Sequence, residues 1–226
     1  MKKAEKLFNE EERQGLMDAL TEAESNTSGE IVPVVATASG RYDRAEDIFG
    51  VLFALVVLSV CWVFFQDIRP AQAEWSSGYT LTLGLGFTIL IVALGFAVGS
   101  AAATHFPALC APFIPRGEML EEVERRAGES FYRFGIGNTR GSTGILIYVS
   151  LFERIVTVKG DRAISEKLND QDWLGICQAI IAGLKRKDPA SGLRSGILKS
   201  GELLSAHFPI EANDDNEIPN EIHFIG

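Results

Sequence analysis

The chain has 226 residues and a formal net charge of −9. An acidic chain lacks the basic face that nucleic-acid-binding proteins need, so we exclude nucleic acid as a partner. Its three cysteines, Cys61, Cys110 and Cys177, have spacings that fit no zinc or redox motif.

The first predicted element is an amphipathic helix over Leu7 to Glu24, and Asn9 followed by Glu12 has the spacing of a capping box. A β-branched run from Glu30 to Ala36 predicts the first strand. Pro33 lies inside this run. Because proline cannot donate a backbone hydrogen bond, we expect an edge strand or a bulge at this position.

Two long stretches without a formal charge follow and predict a transmembrane hairpin. Ile48 to Phe65 form the first, and the most apolar part of the second runs from Leu81 to Ala103. A bilayer core of about 30 Å is crossed by roughly 20 apolar residues in a helix, so both stretches are long enough. We predict transmembrane helices at about 48–66 and 80–104, within a hairpin of residues 48–112.

The distribution of basic residues predicts on which side of the membrane the polar parts lie. Arg41 and Arg44 precede the first crossing and Arg116 follows the second, whereas the connection has only Arg69. Lysine and arginine are in excess on cytoplasmic flanks. We therefore predict a multi-pass protein of the cell (inner) membrane that contacts the lipid bilayer and has both termini in the cytoplasm.

Small residues recur every four positions in the second crossing, at Gly95, Gly99 and Ala103. This pattern lets two helices approach closely. Packing within the hairpin is the favoured interpretation, and a homodimer through Gly95 and Gly99 is the alternative.

The chain after the hairpin predicts a helix, two strands and two further helices. These elements are Glu118 to Phe134, Ile145 to Ser150, Arg154 to Lys159, Asp172 to Lys185 and Pro189 to His207. The first strand of the chain has no partner nearby in sequence, so we expect it to pair with Ile145 to Ser150 across the insertion.

The polar parts on both sides of the hairpin are therefore predicted to form one discontinuous α/β domain, residues 1–47 and 113–209. Its expected architecture is an α/β/α sandwich around a small mixed sheet, interrupted by the two-helix transmembrane hairpin. Residues 210–226 are predicted to form an acidic tail.

Four stretches resemble a known family: Ser28 to Val35, Phe131 to Gly137, Gly144 to Arg154 and Val158 to Asp161. Together they are similar to the TPM-domain family, also called the TPM phosphatase-like or photosystem-repair type. The resemblance implies an α/β/α sandwich. It also implies one of three roles to which relatives have been linked: weak acid phosphatase activity, divalent-cation binding, or assembly of membrane complexes.

Three carboxylates beside predicted strand ends are candidate metal ligands. Glu30 opens a strand, Glu153 lies in the turn that leaves Ser150, and Asp161 ends the following strand. If the strand ends gather at one rim of the sheet, their hard oxygen atoms suit Ca²⁺ or Mg²⁺, and Arg154 would contact a phosphate or another ligand. Structural roles in turns and ion pairs are the alternative interpretation.

The leading functional hypothesis is an integral membrane protein whose cytoplasmic TPM-like domain binds or helps to assemble a membrane-protein partner, with a divalent cation as candidate cofactor. The alternative is a metal-assisted phosphatase-like hydrolase. The sequence leaves open whether the protein is an enzyme.

Overall fold

A computed structural model describes residues 3–65, 69–70, 79–80, 83–210 and 216–226. The chain divides into two compact units. We call Arg41–Pro115 the hairpin unit, and Lys2–Gly40 together with Arg116–Gly226 the α/β unit.

The chain contains both helices and strands. In order they are α1 (Glu10–Glu24), β1 (Glu30–Ala36), α2 (Asp43–Phe65), β2 (Arg69–Pro70), β3 (Tyr79–Thr80), α3 (Leu85–His105), α4 (Arg116–Arg133), β4 (Gly144–Ser150), β5 (Ile155–Gly160), α5 (Arg162–Ser165), α6 (Asp170–Lys185), α7 (Pro189–His207) and β6 (His223–Ile225). The predicted capping box at the start of α1 is confirmed, since the Asn9 side chain and the Glu12 side chain each accept from the other's backbone N–H.

The α/β unit is built on a four-stranded mixed sheet with the order β5-β4-β1-β6. Strand β1 pairs in parallel with β4, from Glu30 opposite Gly144 to Ala36 opposite Ser150. The predicted pairing across the insertion is therefore confirmed. β5 is antiparallel to β4, and β6 is parallel to β1.

Helices cover both faces of this sheet, which confirms the predicted α/β sandwich. Alternate strand residues such as Ile31, Val35 and Ile147 join one core cluster with buried side chains of α1, α6 and α7. Because successive strand residues point to opposite faces, the remaining ones face the layer of α4, in which Val123 and Ala127 are buried.

Pro33 is expected from the sequence to mark an edge strand or a bulge, but β1 is an interior strand of the sheet. The N–H of Glu30 donates towards β4, to Thr143, whereas the N–H of Thr37 donates towards β6, to Ile225. Backbone groups alternate along a strand, so the nitrogen of Pro33 faces the β6 side. β6 pairs only with Val34–Ala36, and the proline therefore lies where β1 is locally an edge.

The predicted acidic tail also differs from the structure. His223–Ile225 form β6 within the sheet, and the His223 ring stacks on the ring of Phe134 with their centres 3.9 Å apart. Residues 211–215 of the tail lie outside the described residues. A strand of three residues is too short to show a recognisable alternation of apolar and polar side chains, so it could not be predicted from sequence.

The hairpin unit contains two helices, α2 of 23 residues and α3 of 21, that are long and apolar enough to cross a membrane. α2 begins earlier than the predicted helix, at Asp43, and α3 begins later, at Leu85. Predicted positions 66 and 81–82 lie outside the described residues. Most apolar side chains of both helices point away from the hairpin, as the exposure of Val63 (75%) and Phe64 (77%) illustrates.

Small residues form the contact between α2 and α3. A Cβ atom on Gly95 would lie 2.9 Å from the Cα of Ala54, and one on Gly99 would lie 3.0 Å from the Cα of Gly50. The two glycines are therefore buried in the hairpin's own contact, as the favoured interpretation expects. A homodimer through Gly95 and Gly99 would require α2 and α3 to separate, and dimerisation stays a prediction.

Candidate functional site

The candidate metal ligands lie at two opposite ends of the sheet. Glu30 begins β1, and Asp161 follows β5, whose end lies beside the start of β4. Glu153 lies beyond the other end of β4, in the turn to β5. At about 3.3 Å per residue, the seven residues of β4 separate the two ends by roughly 20 Å. The common rim expected from the sequence is not formed. Strands β4 and β5 make a β-hairpin, with Glu153 in its turn and Asp161 at its open end.

Among the described residues, no group of three or more His, Cys, Asp or Glu side chains is placed to hold a metal ion. Asp161 instead caps α5, since its side chain accepts from the backbone N–H of Arg162 at 2.7 Å. This is the structural role that the sequence left open for it. Binding of Ca²⁺ or Mg²⁺ stays a prediction.

Glu153 is the most deeply buried of the candidate residues, with 1% of its surface exposed. One carboxylate oxygen accepts from the backbone N–H of Ser39 at 2.8 Å and of Gly40 at 3.2 Å. The other accepts from the hydroxyl of Ser150. A buried carboxylate is costly unless hydrogen bonds compensate its lost hydration, and these three donors supply them.

Two further hydroxyl groups extend this network. The Ser39 hydroxyl lies 2.7 Å from that of Ser150 and 3.1 Å from the phenol oxygen of Tyr148. Burial raises the pKa of Tyr148 above its usual value, so its hydroxyl keeps its proton and remains a donor. These hydrogen bonds link Ser39, Tyr148, Ser150 and Glu153 into one network.

The backbone of Glu153 also takes part, because its carbonyl oxygen accepts from the guanidinium of Arg116 at 2.7 Å. Gly40 is the last residue of the α/β unit before the hairpin unit, and Arg116 is the first residue after it. One residue thus binds the chain where it leaves the α/β unit and where it returns. We call Ser39, Gly40, Arg116, Ser150 and Glu153 the Glu153 junction.

Arg154, the candidate phosphate contact, is exposed directly beside the buried Glu153. Its backbone has a φ of 56°, in the left-handed region that non-glycine residues seldom adopt. The tight turn from β4 to β5 requires this conformation. It places the Glu153 side chain inside the protein and the Arg154 side chain in solvent.

A second carboxylate site, missed by the sequence analysis, lies at the end of the sheet where β1 begins. Glu24 ends α1, and one of its oxygens accepts from the backbone N–H of Ile31 at 2.8 Å. The other is buried and makes no hydrogen bond of normal geometry among the described residues. Burial, with a smaller contribution from the charge of Glu30, raises the pKa of Glu24 to about 8, although the nearby Asn220 side chain acts to lower it. The only sequence signal was an acidic residue in the last helical turn, where the helix dipole disfavours negative charge.

The C-terminal segment covers this second site. The backbone N–H of Glu217 donates to the carboxylate of Glu30 at 3.0 Å, and the Asn220 side chain donates to the hydroxyl of Thr21 at 3.3 Å. The Glu217 carboxylate in turn accepts from the backbone N–H of Arg140 at 3.1 Å. The described part of the predicted tail is thus bound to the α/β unit.

We expect Glu24→Gln to stabilise the protein at alkaline pH. The pKa of Glu24 rises from 4.5 to about 8 on folding, so the folded state keeps a proton that the unfolded chain releases. The free energy of unfolding therefore falls as pH rises between these two values. Glutamine keeps the acceptor for Ile31 and carries no charge, so the variant should be about 2 kcal/mol more stable at pH 9 and unchanged near pH 4.

Urea unfolding of the full chain in detergent micelles at both pH values measures this difference. Glu22→Gln is the matched control, since that side chain is 64% exposed on the same helix. If the free energy of unfolding of Glu24→Gln depended on pH from 4 to 9 in the same way as that of the unchanged protein, the burial assigned to Glu24 would be contradicted.

Comparison with known proteins gives two similarities. Residues 116–203, from α4 into α7, match the family model described as the TPM domain. The NMR structure of the BA42 protein from the psychrophilic bacterium Bizionia argentinensis sp. nov. is similar with a TM-score of 0.58 and 22% sequence identity, over 99% of each chain. At this identity the likeness shows the fold alone. No curated protein matches the chain.

Proposed function

We propose that the α/β unit, of which residues 116–203 match the family model of the TPM domain, is a docking module held at a membrane by the inserted hairpin. In this proposal α2 and α3 cross the bilayer of the cell (inner) membrane, both termini lie in the cytoplasm, and the α/β unit binds a membrane-protein partner there.

The Glu153 junction is the observation that carries the proposal. A polar loop that merely tolerates an insertion has no need for hydrogen bonds to one buried residue at both of its ends. Here a carboxylate with 1% exposure binds Ser39 and Gly40, and the carbonyl of the same residue binds Arg116. The two chain ends from which the insertion departs are therefore held together by hydrogen bonds within the α/β unit.

The surface of the hairpin unit supports a lipid environment. Only 11% of the most apolar stretch of α2 and 17% of that of α3 is buried. Water does not tolerate contiguous apolar surface on this scale in a monomeric protein, whereas the hydrocarbon layer of a bilayer matches it.

The metal-assisted phosphatase alternative receives less support from the structure. Its predicted ligands Glu30, Glu153 and Asp161 lie at two ends of the sheet, and Glu153 is occupied by the junction. Enzymatic activity stays an open prediction, for which the described residues present no assembled ligand set.

Site-directed thiol labelling tests the membrane part of the proposal. Arg41→Cys, Glu118→Cys and Ser76→Cys are made singly in a chain whose three native cysteines are replaced by alanine. In intact bacterial cells, an impermeant maleimide should label the variant in the connection at position 76 and neither of the other two. Opening the membrane should expose positions 41 and 118 together. Labelling of 41 and 118 from opposite sides would refute the hairpin.

A further inference from the structure

The outer edge of β5 presents backbone groups that the sheet does not use. The N–H of Asp161 donates to the carbonyl of Gly144 at 2.8 Å, so the odd-numbered residues of β5 bond to β4. In an antiparallel pair the alternate residues point their N–H and C=O groups away. Val156 and Val158 therefore direct both groups outward, and within the described parts of the chain no other backbone group bonds to them.

The opposite edge of the sheet is protected in a way that β5 is not. Strand β6 has three residues, and Pro33 lies on the stretch of β1 that β6 leaves uncovered. Short edge strands and proline are two common means of preventing strand addition. β5 has six residues and no proline. Its one lysine, Lys159, is engaged with Glu124 of α4 at 2.5 Å and does not guard the edge.

A groove of about 430 Å³ runs along this edge between α4 and α6. Its lining includes Phe131 and Tyr132 from α4, Lys159 and Gly160 from β5, and Trp173 from α6. The three aromatic side chains share the walls with Gly128 and Ser165, and the floor is the end of β5 from Val158 to Gly160. A second strand laid against Val156 and Val158 would therefore have aromatic side chains above and below it.

Exposed apolar side chains of the α/β unit concentrate on the same two helices. Among its described residues, three of the four large exposed ones are Leu120 (46%), Tyr132 (84%) and Leu174 (47%), on α4 and α6, and the fourth is Ile210. Leu120 lies one turn before Glu124, whose side chain contacts β5. Tyr132 lines the groove beside the open edge.

An exposed arginine lies near each end of β5. Arg154 directly precedes the strand. Arg162 follows it after Asp161, which caps α5; 86% of the Arg162 side chain is exposed, and it forms an ion pair with Glu166. An occupant with acidic residues at its ends would complement the two arginines.

We propose that the β5 edge binds an extended peptide segment of a partner protein, which adds a strand to the sheet through Val156 and Val158. Side chains alternate along a strand, so apolar residues of the peptide would contact Leu120 and Tyr132 on one side and Trp173 on the other. Acidic residues would flank them. This inference rests on the proposed docking function and names its surface.

Peptide selection on the full chain in lipid nanodiscs tests the proposal. The probe is a random library of displayed heptapeptides. We expect enrichment of β-branched or aromatic residues at alternate positions with acidic residues at the ends. Binding of the enriched peptides should fall by at least about tenfold in Tyr132→Arg, a change at a side chain that is 84% exposed.

Two further variants separate edge pairing from general adhesion. Val158→Pro removes an outward N–H without removing a bond to β4 and should abolish binding, provided that its circular dichroism spectrum matches that of the unchanged chain. Ile210→Arg changes an exposed apolar residue elsewhere and should bind as the unchanged chain does. If Val158→Pro fails to fold, Tyr132→Arg decides the result.

Three results would overturn the inference: enriched peptides that bind the unchanged chain and Tyr132→Arg equally, no enrichment at all, or self-association of the chain that Tyr132→Arg abolishes. The last would identify a second copy as the occupant. Thiol labelling reports on the membrane anchor independently. A confirmed hairpin without peptide binding refutes the β5 edge alone, and peptide binding with opposite-side labelling refutes the anchor alone.

Discussion

Replacement of Glu153 by alanine should destabilise the α/β unit by about 3 kcal/mol. The change removes the acceptor for the buried backbone N–H of Ser39, the half-buried N–H of Gly40 and the hydroxyl of Ser150. The Ser150 hydroxyl keeps that of Ser39 as a neighbour, but the two N–H groups would lose their acceptor, whereas in the unfolded chain water satisfies them. Urea unfolding of the full chain in detergent micelles should show a lower midpoint with an unchanged slope.

Two variants distinguish the loss of acceptors from the loss of a charge. Glu153→Gln keeps one carbonyl oxygen for the two backbone donors and should lose less stability than the alanine variant. Glu166→Ala removes a carboxylate directly after α5 that is 66% exposed and should change the stability by no more than about 0.5 kcal/mol. Equal midpoints for Glu153→Ala and Glu166→Ala would contradict a structural role for the junction.

Replacement of Gly183 by alanine should be similarly damaging, although it adds a single methyl group. A Cβ atom at this position would lie 2.2 Å from the Cα and 2.5 Å from the nitrogen of Gly192. Both are backbone atoms, so α6 and α7 must move apart where Ile180 and Leu193 contribute to the core. We expect a loss of about 3 kcal/mol or more, seen as a melting temperature lower by roughly 6–12 °C.

Gly15→Ala is the matched control for this prediction. Gly15 lies in the interior of α1, and a Cβ atom there meets nothing within 4 Å. Alanine should therefore stabilise this helix by roughly 0.5–1 kcal/mol. If Gly183→Ala also raised the melting temperature, the close crossing of α6 and α7 would be refuted.

Several features of the fold were predictable because they depend on residues near one another in the chain. The capping box of Asn9 and Glu12, the strand Glu30–Ala36 and the helix Pro189–His207 follow from patterns a few residues long. The pairing of β1 with β4 followed by elimination, since β1 had no other partner nearby. The resemblance to the TPM domain is confirmed for residues 116–203.

The candidate site was less predictable, because its residues are far apart in sequence. Glu153 and Ser39 are separated by 114 positions, and Glu30 and Glu217 by 187. No local pattern indicates that a carboxylate beside a strand will turn inward to bind a distant loop. The direction of β5 relative to β4 decided that Asp161 and Glu153 lie at opposite ends.

The amino-acid sequence by itself determined the longer helices, the strands β1, β4 and β5 and the two apolar helices, since helical periodicity, caps and uncharged runs act over one or a few turns. Only the tertiary structure decided what the carboxylates do. Burial and hydrogen bonding depend on which segments of the chain meet. They let Glu153 bind the chain where it leaves the α/β unit, and they raise the pKa of Glu24. The open edge of β5 likewise exists only once the order of the strands is set.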